Sequence, residues 1–152
     1  MDPVQALINV RTSPVHGTGV FAACDIAAGE KIGVYTGRRY TARQAAARDW
    51  DHSLTYVFGL ADGSVIDASE GGNETRFLNH SCAPNVQAQE EPGPRRRNTV
   101  AFYALRDLRA GEELFIDYAL VVEEPQPGQT YACHCGAKYC RGTLLAASWQ
   151  PR

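Results

Sequence analysis

No stretch of this 152-residue chain approaches the ~18 consecutive apolar residues of a membrane-spanning helix. The start, Met1-Asp2-Pro3-Val4, lacks the basic region and apolar run of a secretory signal. An intracellular location is therefore expected, cytoplasmic in a bacterium and nuclear as the option in a eukaryote. Lysine is scarce: only Lys31 and Lys138 stand among 15 basic residues, a bias that fits a GC-rich genome. Net positive charge is missing too; the balance is −2, so no global field would hold nucleic acid. The one basic run, Arg95-Arg96-Arg97, sits near Glu90-Glu91 and reads as a solvated hairpin tip. What is there suits an ordinary globular domain: 44% hydrophobic and 21% charged residues, in one unit large enough to bury a core. The 14 Gly and 8 Pro favour turns and short strands over a helix bundle.

Alternation predicts a first strand over 4–11, with Val4, Ala6, Ile8 and Val10 on one face. His16-Gly17-Thr18-Gly19 is a turn before a strand over 20–22, and Ala28-Gly29 turns the chain into a strand over 30–35. Thr41 reads as the N-cap of a short Ala-rich helix ending near Arg48. Segments 54–60 and 64–67 flank Ala61-Asp62-Gly63 as a hairpin. Strands are expected at 85–89, 98–105 and 112–117, and Pro125 and Pro127 mark a linker before a cysteine-bearing tail. Residues 25–32 resemble residues 107–114: two turn-to-strand units that either pack as a pair or merely share turn chemistry.

Positions 79 to 85 concentrate Asn, His, Ser, Cys, Pro and Asn. Asn and Ser compete with the backbone for hydrogen bonds, and Pro84 removes a donor and biases Ala83 away from helix. The stretch is predicted as a bent loop anchored by Phe77-Leu78, either a site or a polar surface turn. Five Cys without a secretory signal argue for metal or catalysis before disulfides. Cys133, Cys135 and Cys140 crowd three thiols into eight residues, and a closed tetrahedral zinc site needs a fourth ligand. Unmetallated thiols or a disulfide are the plainer alternatives.

The segment Arg76-Phe77-Leu78-Asn79-His80-Ser81-Cys82-Ala83-Pro84-Asn85 resembles the signature of the SET-domain protein-lysine methyltransferases. Four further segments fall in that family's order: His16 to Phe21, Tyr35-Thr36-Gly37, Glu113 to Tyr118, and Cys133-His134-Cys135-Gly136 with Cys140 and Gly142. The resemblance implies a mainly β fold with short helices, built of small curved sheets with a knot-like C-terminal segment. It implies a SET domain over 5–120 and a post-SET zinc-binding segment over 129–145. Its zinc would sit on Cys82, Cys133, Cys135 and Cys140, with His134 as a lesser ligand option and Cys24 left as a small buried hydrophobe.

The implied reaction moves a methyl group from S-adenosylmethionine to a lysine amine of a protein or peptide substrate. No direct nucleic-acid or membrane partner is implied, and the oligomeric state is left open. The family match puts His16, Gly17, Thr18, Gly19, Tyr56, Arg76, Phe77, Asn79, His80, Tyr118 and His134 around the cofactor, although Tyr56 reads equally well as core. A free lysine has a pKa of about 10.4, so the site must favour the neutral amine; a dry channel and the sulfonium charge both do so without a carboxylate base. Tyr118 would orient the amine or methyl group, and Tyr35 would line the lysine channel; each could instead be a half-buried structural Tyr. At Ile116 the family usually has Tyr or Phe. Ile cannot anchor a water, which predicts a wider apolar channel and di- or trimethylated product unless Tyr35 or Tyr103 refills the space. One rival is an inactive, zinc-stapled peptide-binding module. A hydrolase using Cys82 and His80 is disfavoured, because two residues apart on one loop they are badly placed to face each other.

Overall fold

Two turns of nearly the same sequence lock the halves of the chain together. In the computed structural model, which describes residues 7–14, 17–48, 56–118 and positions 135, 137, 138 and 140, Ile26 and Leu108 form an isolated antiparallel bridge. Each donates its N–H to the other's carbonyl, at 2.9 and 2.8 Å. The Asp25 carboxylate accepts from Ala110 N–H at 3.0 Å, and the Asp107 carboxylate accepts from Ala28 N–H at 2.8 Å. Inside the turns, Glu30 accepts from Ala27 N–H and Glu112 from Arg109 N–H. Gly29 and Gly111 hold φ of +80° and +89°, a region costly for any residue with a Cβ. The repeat is therefore a reciprocal pair, and its apolar members Ile26 and Leu108 are both buried.

The elements run β1 (Ile8–Thr12), β2 (Thr18–Ala22), β3 (Lys31–Val34), β4 (Arg38–Tyr40), helix α1 (Ala42–Ala47), β5 (Val57–Gly59), β6 (Val65–Asp67), β7 (Asn79–His80), β8 (Val86–Pro92), β9 (Asn98–Ala104) and β10 (Glu113–Ile116). They make three small sheets, ordered β1-β2-β10-β7, β3-β9-β8 and β4-β6-β5. Every pairing is antiparallel except that of β10 with β7. Val20, Leu114, Phe102, Ile66 and Ile32 meet in one core beneath the sheets. Each such side chain contributes about 1.5–3 kcal/mol on burial.

Thr41 caps α1 as expected, and Gln44 completes the reciprocal box. The Asp62-Gly63 turn joins β5 to β6, with Gly63 at φ +87°. Other boundaries differ from expectation. β8 runs on to Pro92, because its pairing with β9 continues through Pro92 opposite Asn98. At that hairpin's tip Arg95 and Arg96 adopt φ of +59° and +57°, an uncommon conformation for non-glycine residues. β4 was not expected, since Arg-Arg-Tyr carries no apolar alternation; pairing with β6 makes it a strand. Its Tyr40 is buried beneath the guanidinium groups of Arg38 and Arg48, 5.1 and 4.8 Å from the ring centre. Cys24 is exposed rather than buried, because it follows the last paired residue of β2 on the way into the first turn. Val4, Ala6 and the threading expected after Tyr118 lie outside the described residues. No helix among those residues is long and apolar enough to cross a membrane.

Candidate functional site

The polar stretch after Phe77 starts as a short strand, Asn79–His80, and only then becomes the expected bent loop over 81–85. A 3-10 helix over Glu74–Phe77 leads into β7, whose Asn79 and His80 lie opposite Phe115 and Ile116 of β10. Polar residues form a strand here because β10 offers partners that the local sequence does not. Ser81 N–H continues the ladder to the Ile116 carbonyl at 3.0 Å. Asn85 then uses its side chain as a stand-in for backbone. Its Oδ1 accepts from Phe115 N–H at 2.8 Å, and its Nδ2 donates to the Glu113 carbonyl at 2.9 Å. Its own N–H reaches the Phe115 carbonyl at 3.3 Å.

Three tyrosines gather beside this junction. The Tyr118 hydroxyl donates to the Leu78 carbonyl at 2.7 Å, and its backbone N–H donates to His80 Nδ1 at 3.0 Å. Tyr35 is buried, with its hydroxyl donating to the Tyr56 carbonyl at 2.5 Å and its ring 5.0 Å from that of Phe58. Burial pushes both the Tyr35 and the Tyr118 phenols well above their ordinary value. Tyr118 raises Tyr35 further, and the Tyr56 side chain raises both. Tyr56 also meets the Phe77 ring edge-on at 6.4 Å, while the Arg76 guanidinium covers Phe77 at 4.5 Å and donates to the Gly72 carbonyl. Ile116 is buried on β10, opposite His80.

Asn79 joins the junction to the turn before β2. Its amide nitrogen donates to the Thr18 carbonyl at 3.1 Å and to Glu113 Oε2 at 3.2 Å. Ser13 Oγ bonds both oxygens of the same Glu113 carboxylate at 2.8 Å. Gly19 leaves room for this carboxylate: a Cβ there would stand 2.5 Å from Glu113 Oε2 and make it shift. Gly17 takes φ +47° and faces open space, since a Cβ would meet nothing within 4 Å. Glu113 is a residue whose role sequence reasoning missed. Its partners lie 100 and 34 positions away, and no local pattern signals them.

The sulfur atoms of Cys82, Cys135 and Cys140 lie within 4.8 Å of one another, and those of Cys82 and Cys140 are 4.0 Å apart. Tetrahedral zinc with sulfur at about 2.3 Å holds its thiolates about 3.8 Å apart, so the three residues fit that ion. Cys82 and His80 do face each other, contrary to expectation: the chain leaves β7 after His80 and bends at Cys82, which brings His80 Nε2 to 3.3 Å from Cys82 Sγ, with the His80 side chain only 3% exposed. The other expected site residues His16, Cys133 and His134 lie outside the described residues.

Residues 17–119 match the family model described as the SET domain. The Candida albicans protein named histone-lysine N-methyltransferase, H3 lysine-4 specific, is 37% identical over 139 residues, covering 87% of this chain and 13% of that protein. The Saccharomyces cerevisiae protein of the same name is 38% identical over 138 residues, covering 87% and 12%. Human histone-lysine N-methyltransferase 2B is 36% identical over 141 residues, covering 90% and 5%. The chain thus spans a small part of the length of these relatives. Among solved structures, KRYPTONITE in complex with mCHG DNA and SAH superposes with a TM-score of 0.75 at 28% identity, over 91% of this chain and 29% of that one. A humanized mutant of the Chaetomium thermophilum Polycomb Repressive Complex 2 bound to the inhibitor GSK126 gives a TM-score of 0.62 at 30% identity, over 72% and 14%.

Proposed function

The chain belongs to the SET-domain family, and from that premise we propose that it transfers a methyl group from S-adenosylmethionine to the side-chain amine of a lysine in a protein substrate. The observation that carries this reading is Tyr118. Its hydroxyl proton is committed to the Leu78 carbonyl and its backbone to His80, beside the buried Tyr35 and the half-buried Tyr56. An oxygen so held presents its lone pairs in a fixed direction, which is what aligning a reacting amine requires.

S-adenosylmethionine supplies an activated methyl group on a positively charged sulfur. Asn79, with Gly17, Thr18 and Gly19 of the adjoining turn, suits its amino-acid end: a buried amide, bare backbone and the open space beyond Gly17 are all present. Tyr56, Arg76, Phe77, His80 and Tyr118 extend that surface, and His16 and His134 are proposed to complete it. SAH in the KRYPTONITE structure is the form S-adenosylmethionine takes once its methyl group has left, which supports the choice of cofactor.

Tyr118 and Tyr35 would line the lysine channel. Their raised phenols stay neutral at physiological pH and keep the channel free of a negative charge that would hold the amine as ammonium. Loss of the amine's proton to water then leaves a lone pair that the Tyr118 oxygen can align. Ile116 offers no hydroxyl to hold a water, so we assign di- or trimethylated product. Cys82, Cys133, Cys135 and Cys140 would hold one zinc ion, which supplies a cross-link from a post-SET segment over 129–145 to a SET domain over 5–120. Relatives named for H3 lysine-4 make a basic histone tail the first substrate to try, and with it a nuclear location. The test is transfer of labelled methyl groups to a histone H3 peptide and to the same peptide with arginine at the target lysine. Label on the first alone supports the reading; label on neither peptide nor any histone refutes it.

A further inference from the structure

The His80 ring touches two separate parts of the molecule. Its Nδ1 stands 3.0 Å from the backbone nitrogen of Tyr118. A peptide N–H can only donate, so Nδ1 must accept and carries no proton. The ring proton therefore sits on Nε2, which lies 3.3 Å from Cys82 Sγ. Asp117 Oδ1 is 3.6 Å from Nδ1, beyond hydrogen-bond reach. The His80 and Tyr118 rings also meet at 5.4 Å, tilted by 64°, so the imidazole contacts Tyr118 through its ring as well as its backbone.

We propose that His80 is a positioning residue that ties the Cys82 sulfur of the zinc cluster to the Tyr118 backbone, so that metal loading helps set where the Tyr118 hydroxyl stands. This rests on the reading of Tyr118 as the residue that aligns the lysine amine. A thiolate on zinc is a good acceptor for the Nε2–H, and such a bond orients the ligand and steadies the metal. The other end of the same ring fixes the residue whose hydroxyl is anchored at Leu78. Displacing Cys82 therefore moves the ring, and the ring moves Tyr118.

Two substitutions separate the ends of the ring. Asn at position 80 puts an amide oxygen where Nδ1 stands and leaves nothing at Nε2. Gln puts an amide nitrogen near Nε2 and leaves nothing at Nδ1. Zinc release from the full chain would be followed with a chelating dye, and kcat and KM measured with zinc in excess. His80→Gln should keep zinc better than His80→Asn by about 10–100-fold, the usual cost of removing a bond to a metal ligand. His80→Asn should in turn keep several-fold more of the wild-type kcat than His80→Gln, a gap wider than any between their KM values for S-adenosylmethionine. Parallel loss of zinc and turnover in both variants, with lowered melting temperatures, would mean that His80 only fills space and would overturn the proposal. If the wild type transfers no methyl group, the proposed function fails instead. The zinc arm then decides alone, and equal zinc retention by the two variants refutes the tie to Cys82.

Discussion

Tyr118→Phe keeps the ring and removes one oxygen, which makes its cost calculable. The hydroxyl donates to the carbonyl of Leu78, a residue only 3% exposed, at 2.7 Å. Phe leaves that carbonyl without this donor inside the protein, a loss of about 1–3 kcal/mol. In a domain of this size each kcal/mol lowers the melting midpoint by about 2–4 °C, so a drop of about 2–12 °C is expected. The catalytic effect should be larger. Removing one preorganised polar group beside a reacting centre typically costs about 100–1,000-fold, and at least an order of magnitude is expected here. Cofactor affinity should change little, because Phe keeps the ring that Tyr118 adds to the cofactor surface and leaves Asn79 and Gly17–Gly19 untouched. Thermal melts, initial rates with labelled S-adenosylmethionine and calorimetric titration measure the three quantities. A variant with wild-type kcat would refute the reasoning, as would one whose affinity falls as far as its kcat.

Elemental analysis of protein purified without added metal should find about one zinc per chain, and Cys82→Ser should lose it; full zinc in that variant would put the remaining ligands elsewhere. Mass spectrometry at long reaction times should show di- or trimethyl product from the wild type and a shift toward monomethyl product in Ile116→Tyr. Monomethyl product from both would remove Ile116 from control of the outcome. Stability should fall from about pH 10 upward, because unfolded tyrosines ionise there while burial keeps the Tyr35 and Tyr118 phenols protonated in the fold. The sign follows from proton counting: above that pH the folded state binds more protons than the unfolded one, and below it the contribution is complete. Denaturant midpoints should decline less steeply in Tyr118→Phe than in the wild type, and identical slopes would contradict the assignment.

Features settled by neighbours in sequence were legible from sequence alone. The Thr41 cap needs only Gln44, the Asp62-Gly63 turn needs only itself, and the repeated turns announce themselves by their shared residues. Features settled by distant partners were not. Asn79 and His80 look like loop because the strand that organises them lies far along the chain. Arg38 to Tyr40 look solvated until β6 is beside them. The same division runs through the candidate site. Its residue types can be picked out one by one, and Asn79, His80, Cys82 and Tyr118 do lie together. The bonds that hold them, from Ser13 through Glu113 to Asn79 and from Cys82 through His80 to Tyr118, leave no local trace.

The reciprocal turns impose a delay on the newborn chain. Asp25 finds its donor in Ala110 and Ala28 its acceptor in Asp107, 85 and 79 residues downstream. At a synthesis rate of about 5–20 residues per second, the first turn emerges roughly 4 to 17 s before its counterpart exists. Through that interval Ile26 has no Leu108 to cover it, and the strand at the sheet centre, β2, has no β10 beside it. The N-terminal half thus lacks these partners until residues 107 to 114 have been made. A fragment ending before Asp107 should bind chaperones and resist crystallisation as a unit, and cutting the domain there should yield two pieces that fold only on meeting.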